Sequence, residues 1–230
     1  GDVYGAGDPN ASKKIVFAKN NIGAERETEF GYYFSWGEQQ GWKIISSNQQ
    51  ETFPLSESVC VQYDKDGTAT GAKWTSSTFT GDGWGLYNQT VEAFTGKINQ
   101  GPVNGVTYGD AATYNWGGNW RTMELEFLDM LTSDYTVPGT VTIGSVTLKK
   151  EWDASHCGIR LTNEALGTSV FFPASGYCTG SNRNYTLTNG YSMCSSPESS
   201  SGKSKSPILI YRQASFNGGS HTISLSRGYA

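Results

Sequence analysis

Apolar positions in this chain recur mostly at every second residue, and in one stretch only at every third or fourth. The alternating stretches predict strands and the single helical stretch predicts a helix. Residues 15–18 (IVFA) read as strand, and residues 29–38 (EFGYYFSWGE) are aromatic and β-prone. Residues 41–105 are rich in Gly, Ser, Thr, Asn and Gln, and Trp42, Trp74 and Trp84 are scattered among them. This part is expected to be loops and short strands anchored by tryptophans.

Met123, Phe127, Leu128 and Leu131 repeat at helical spacing, with Glu124, Glu126 and Asp129 between them. A helix capped by Thr122 follows, its apolar stripe inward and its carboxylates in water. Pro138-Gly139 marks a turn, and alternation resumes to Leu148. Residues 158–177 form a hairpin through residues 163–167. Near the end, Asn217-Gly218-Gly219 is turn chemistry between two strand-like flanks. There Phe216, Ile223 and Leu225 point inward, and Thr222, Ser224 and Ser226 outward.

Composition adds one constraint on size and one on class. A chain of 230 residues with 36% hydrophobic and 17% charged residues and 29 glycines suits one turn-rich globular domain. No internal repeat or linker divides it. We read residues 1–14 as a polar N-terminal segment and residues 15–230 as the domain. No apolar run approaches the roughly 18 residues of a membrane helix, so direct membrane insertion is not expected. The start, Gly1-Asp2-Val3-Tyr4, reads as a mature or trimmed end without a signal peptide.

Net charge is −4. Beyond residue 164, Arg183, Lys203, Lys205, Arg212 and Arg227 face Glu198 alone. That excess is too thin and dispersed for a nucleic-acid stripe. Cys60, Cys157, Cys178 and Cys194 form no C-x-x-C pair, which speaks against a zinc site. One disulfide and free buried thiols both remain open.

Catalytic constellations are not apparent. Only His156 and His221 could serve a serine triad, and Gly-x-Ser-x-Gly does not occur. "GDGWG" (81–85) lacks the full glycine pattern of a dinucleotide loop. Glu124, Glu126 and Asp129 fall on the solvent face of the helix, not opposite one another as glycosidase carboxylates must. The expectation is no enzyme, no cofactor and no metal.

What stands out is the tail. From residue 175 onward, Ser, Thr, Asn and Gly are interspersed with Tyr177, Tyr185, Tyr191, Tyr211 and Tyr229 and with Arg183 and Arg212. Antibody binding loops have this make-up, because tyrosine gives large contact area at low entropic cost.

"DAATYNWGGNWR" (110–121), with "IVFAKNNIGAERETEFGYYFSWGE" (15–38) and "SVFFPASGY" (169–177), resembles the Fibrobacter succinogenes major paralogous domain of Bacteroidetes surface proteins. The likeness spans residues 15–230 and is weakest across 41–105. It departs at Thr122, where Met-Pro is usual, and at Met193-Cys194, where Tyr-Trp is usual. The resemblance implies an α+β, C-type lectin-like fold of the formylglycine-generating-enzyme subtype, with short mixed strands, one or two helices and long loops.

In such a fold Trp36, Trp116, Trp120, Arg121, Pro173 and Tyr177 are scaffold, with Arg121 pairing Asp110 or a helix carboxylate. The calcium motifs of true C-type lectins do not occur, so sugar binding through calcium is not expected. Some relatives of the fold are variable proteins of diversity-generating retroelements, and the segment from about 178 to 230 is compatible with that.

The expected function is therefore calcium-independent ligand binding by a displayed C-terminal surface. Its residues would be Arg183, Tyr185, Tyr191, Ser192, Met193, Tyr211, Arg212, Gln213, Ser215, Ser220, Thr222, Ser224, Ser226 and Tyr229. The partner would be a protein or glycan in an adhesion-like role, at a bacterial cell surface or on a phage tail. Two alternatives belong to other classes. One is an oxidoreductase of the formylglycine-generating kind, using a pair such as Cys178 and Cys194; the other is a structural fimbrial or surface subunit.

Overall fold

The computed structural model describes residues 16–45, 55–78, 85, 86, 89, 91–197, 205–217, 222–224 and 228–229; at 205–207, 217, 222–224 and 228–229 it describes the backbone alone. Among these residues the chain is mostly antiparallel sheet with two short helices, a β-rich mixed fold.

A three-stranded sheet joins β1 (Gly41–Ile44), β2 (Cys60–Tyr63) and β3 (Ala69–Lys73). A ribbon of β4 (Gln100–Val103) and β5 (Val106–Tyr108) precedes helices α1 (Ala111–Trp116) and α2 (Leu125–Leu131). Then β6 (Gly139–Ile143), β7 (Val146–Asp153), β8 (Gly158–Asn163) and β9 (Thr168–Pro173) form a four-stranded meander. Its period-two pattern is legible: Val141, Ile143, Leu148, Ile159 and Leu161 turn to the same core as Leu128 and Leu131 of α2.

The C-terminal part adds β10 (Tyr177–Thr179) and β11 (Asn182–Asn184), then β12 (Asn189–Met193), β13 (Lys205–Arg212), β14 (Ser215–Asn217), β15 (Thr222–Ser224) and β16 (Gly228–Tyr229). β13 is the spine: β12 pairs along one edge, while β14 and β15 lie end to end along the other. β16 returns to β10.

Several expectations change. Residues 15–18 are no strand where described; Val16 is exposed, and Phe17 packs on Phe127 and Phe172. Residues 29–38 run as turns with isolated bridge residues at Tyr33, paired with Trp42, and at Phe34, because Gly31 and Gly37 take left-handed φ of 76° each and break the extension. Their aromatics are nonetheless core. Tyr33 and Trp36 are buried, and their polar ends donate to the Ser175 carbonyl (2.7 Å) and the Cys194 carbonyl (2.9 Å). The Tyr33–Ser175 bond thus joins two of the segments that carry the family resemblance, 15–38 and 169–177.

Helix α1 was not foreseen, and α2 starts later than expected. Thr122 caps neither; its N–H and hydroxyl donate to Asp110 at 3.0 Å. Asp110 is itself the N-cap of α1, accepting from Thr113 N, and also holds Gly96 N at 3.0 Å. With its carboxylate taken up by these donors, Arg121 is left to Glu124 at 3.9 Å. The closing hairpin is also rearranged. The chain reverses at Gln213 and Ala214, and β14 and β15 each pair with β13 rather than with one another. Gly218 and Gly219 lie outside the described residues, as do Trp84 and His221.

Candidate functional site

The β12–β13–β14 ladder divides the tail's side chains between two faces. Gly190 pairs with Tyr211 and Tyr211 with Phe216; Ser192 pairs with Leu209. Leu209, Tyr211 and Phe216 belong to the main core, with Tyr211 only 1% exposed. Its hydroxyl donates to the Pro173 carbonyl at 2.9 Å, and burial pushes its acidity well below that of a free phenol. Ser192 shares that inner side through its hydrogen bond to Tyr211.

On the other face stand Asn189, Tyr191 and Met193 of β12, Ile208, Ile210 and Arg212 of β13, and Ser215 of β14, by alternation. This face is covered unevenly. Met193 packs against the cluster of Trp36, Leu86, Val91 and Phe94. Tyr191, 6% exposed, is roofed by Tyr177 (5.2 Å, edge to face) and Tyr185 (6.4 Å). Toward the end of the ladder the cover stops, and Asn189, Arg212 and Ser215 stand abreast in register.

This open row has an exposed tyrosine near each side. Asn189 N donates to the Tyr185 carbonyl at 2.9 Å, and Tyr185 is 57% exposed. Beyond Ser215, Thr136 forms a bridge to it and Phe216 N donates to the Tyr135 carbonyl at 2.8 Å. Tyr135 is 67% exposed. Within the row, the Arg212 Nε donates to Ser215 Oγ at 2.8 Å, and the Asn189 amide donates to the Tyr191 hydroxyl at 3.0 Å. Gln213 sits in the exposed turn beside Arg212.

Tyr185 is held where it is at a cost. Its φ of 58° is left-handed, a conformation disfavoured for a residue with a bulky side chain. The Thr188 N–H (3.1 Å), the Asn189 N–H and the Thr188 hydroxyl (2.8 Å) all converge on its carbonyl. From behind, Leu187 N donates to Ala174 O at 2.7 Å and Gly176 N to Asn189 O at 2.9 Å. The connection over residues 174–176 therefore buttresses both the turn and the start of β12.

Three of the expected ligand residues, Arg183, Tyr191 and Tyr211, are corrected by burial, and Ser192 and Met193 are half-buried, Met193 against the Trp36 cluster. Arg183 lies in β11 with its guanidinium over the Phe30 ring at 5.9 Å, buried beside Tyr33 and Lys43. Tyr191 is under Tyr177 and Tyr185, Tyr211 is in the core, and Ser192 faces Tyr211. Tyr211 and Ser192 lost their exposed role because the register turns them inward, Tyr191 because a second aromatic layer covers it, and Arg183 because β11 holds it over Phe30. Trp116 and Trp120 are corrected the other way, since both are substantially exposed. The side chains of Thr222, Ser224 and Tyr229, and all of Ser220 and Ser226, lie outside the described residues. Sequence reasoning missed Asn189 and Tyr135. Register would have found the first; nothing local points to the second.

The cysteines regroup as well. All four are free. Cys178 belongs to a cluster with Cys60, Tyr33, Trp42 and Trp74, while Cys194 is in the main core. The Cys178–Cys194 pair that the oxidoreductase alternative would use is therefore split. Burial pushes the Cys60 and Cys194 thiols up to about 12 and Cys178 upward too. Such thiols are protonated at neutral pH and poor nucleophiles. Among the described residues no three His, Cys, Asp or Glu side chains gather as a metal-ligand set.

Compared with protein-family models, curated proteins and solved structures, the chain matches none of the three.

Proposed function

We propose that this protein is a non-enzymatic binding module on a C-type lectin-like scaffold akin to the Fibrobacter succinogenes major paralogous domain. It works at a bacterial cell surface or on a phage tail, and its ligand is a protein or glycan. The binding surface is the open end of the β12–β13–β14 face: Tyr185, Asn189, Arg212, Gln213 and Ser215, with Tyr135 at the far side. Tyrosine and arginine are the residues that dominate interface energetics, and polar neighbours adapt around them.

The observation that carries this reading is the strained, exposed Tyr185 at the head of a register row ending in Ser215. Strain of this kind persists where surrounding structure over-determines it, as it does at ligand clamps. If a retroelement diversifies the tail, tolerated changes are confined to outward positions such as Arg212, Gln213 and Ser215. Tyr191, Ser192 and Tyr211 must then stay fixed, because the core depends on them.

The test is a combined array of glycans and bacterial surface proteins probed with wild type, Tyr185→Ala and Arg212→Ala. Loss of the wild-type signal in both variants, with circular dichroism unchanged, is expected. Retained binding in both would remove the row from the site.

A further inference from the structure

Trp116 ends α1 and Trp120 follows across Gly117, Gly118 and Asn119. The two indoles meet edge to face, centroids 5.3 Å apart and planes at 65°. They are 40% and 37% exposed, unusual for the side chain with the most area to bury. Their placement is built rather than incidental. Thr113 Oγ1 donates to the Trp120 carbonyl at 2.6 Å, and Gly117 N donates to Thr113 O at 2.8 Å. Thr113 N and Thr122 N, on either side of the loop, are both clamped on the buried Asp110 at 3.0 Å.

Gly117 and Gly118 both have left-handed φ, and a Cβ on either would meet nothing within 4 Å, so the space beside the indoles is open. Exposed Asn119 and Arg121 flank it.

We propose that this indole corner is a binding subsite for a neutral sugar ring, separate from the C-terminal row. A pyranose has an apolar face of C–H groups whose positive polarisation suits the negative face of an indole. A second indole at a steep angle gives that ring a wall as well as a floor. A sugar seated there keeps its equatorial hydroxyls on the solvent side, next to the exposed Asn119.

Size argues for a small ligand. Taking roughly 250 Å² for a whole tryptophan, the exposed indole area totals about 200 Å², against about 800 Å² per partner in a stable protein interface. Charge argues for a neutral one, since the chain carries −4 and the Glu124 carboxylate stands 3.9 Å from Arg121.

The test titrates the protein with methyl glycosides of glucose, galactose, mannose and N-acetylglucosamine and their neutral oligosaccharides, reading tryptophan fluorescence. At least one probe is expected to saturate. Trp116→Ala and Trp120→Ala then weaken it about tenfold or more, Trp116→Phe much less, and Arg212→Ala not at all. On the unaltered chain the same probe slows oxidation of Trp116 and Trp120 by N-bromosuccinimide, read by peptide mass spectrometry.

No saturation with any probe up to about 10 mM, or unchanged affinity in the alanine variants, overturns the proposal. So does unslowed oxidation, or a wild-type dimer in sedimentation that Trp116→Ala dissociates.

Discussion

The ring of Tyr211 lies directly against Gly190, its register partner on β12, so closely that a Cβ on residue 190 would overlap the ring. This contact shows which face of the C-terminal sheet is interior. Tyr211→Ala is expected to cost about 3–5 kcal/mol, as large aromatic deletions in cores do. Tyr211→Phe, which strips the Pro173 carbonyl of its donor, should cost about 1–2 kcal/mol. Gly190→Ala should cost about 1–3 kcal/mol by overpacking. Urea unfolding measures all three.

Asp110 ties α1, the loop at Gly96 and Thr122 into one knot. Asp110→Ala leaves the partly buried N–H groups of Gly96, Thr113 and Thr122 without an acceptor, and a loss of about 2–4 kcal/mol is expected in the same assay. Asp110→Asn should recover part of it, because one acceptor oxygen remains.

Glu38 titrates within the physiological range. Burial raises its carboxyl from 4.5 to about 7, opposed by donors from Ser35 N, Trp42 Nε1 and Gln62 Nε2. The folded state therefore holds a proton that the unfolded chain releases between those two values. Stability is fully present below about 4.5 and falls as pH rises toward 7, by about 3 kcal/mol in all. Melting temperatures across pH 4–8 should follow that slope, and Glu38→Gln should flatten it.

Cys157 is the one thiol that is not buried. Alkylation of the native protein should label it first, while Cys60, Cys178 and Cys194 react only on unfolding. Peptide mass spectrometry reads the order, and fast native labelling of Cys60 or Cys178 would contradict the burial described.

Much of the meander could be read from the chain: the 163–167 turn and the alternation through β8 and β9 need only local pattern. The apolar stripe of α2 was equally plain at Leu128 and Leu131. Where reading failed, the deciding interaction was distant. Tyr191 and Tyr211 have the same composition-level signature as Tyr185, yet the β12–β13 register turns Tyr211 into the core and Tyr177 and Tyr185 roof Tyr191, while a left-handed turn exposes Tyr185. Helix α1 was hidden because its cap, Asp110, precedes a run too short for helical periodicity. Trp116 and Trp120 read as core because tryptophan usually is; only the Asp110 clamp and the open glycines reveal otherwise. Tyr135 joins the candidate row solely through the Thr136–Ser215 bridge, which no local pattern encodes.

The most direct measurement compares Tyr185→Ala with Tyr185→Gly, each scored for ligand capture on the array and for urea stability. Both variants should lose capture, and the glycine variant should be the more stable of the two by about 1 kcal/mol, since it relieves the left-handed backbone. Undiminished capture in both, or a glycine variant less stable than the alanine one, would contradict a strained tyrosine held out for a partner.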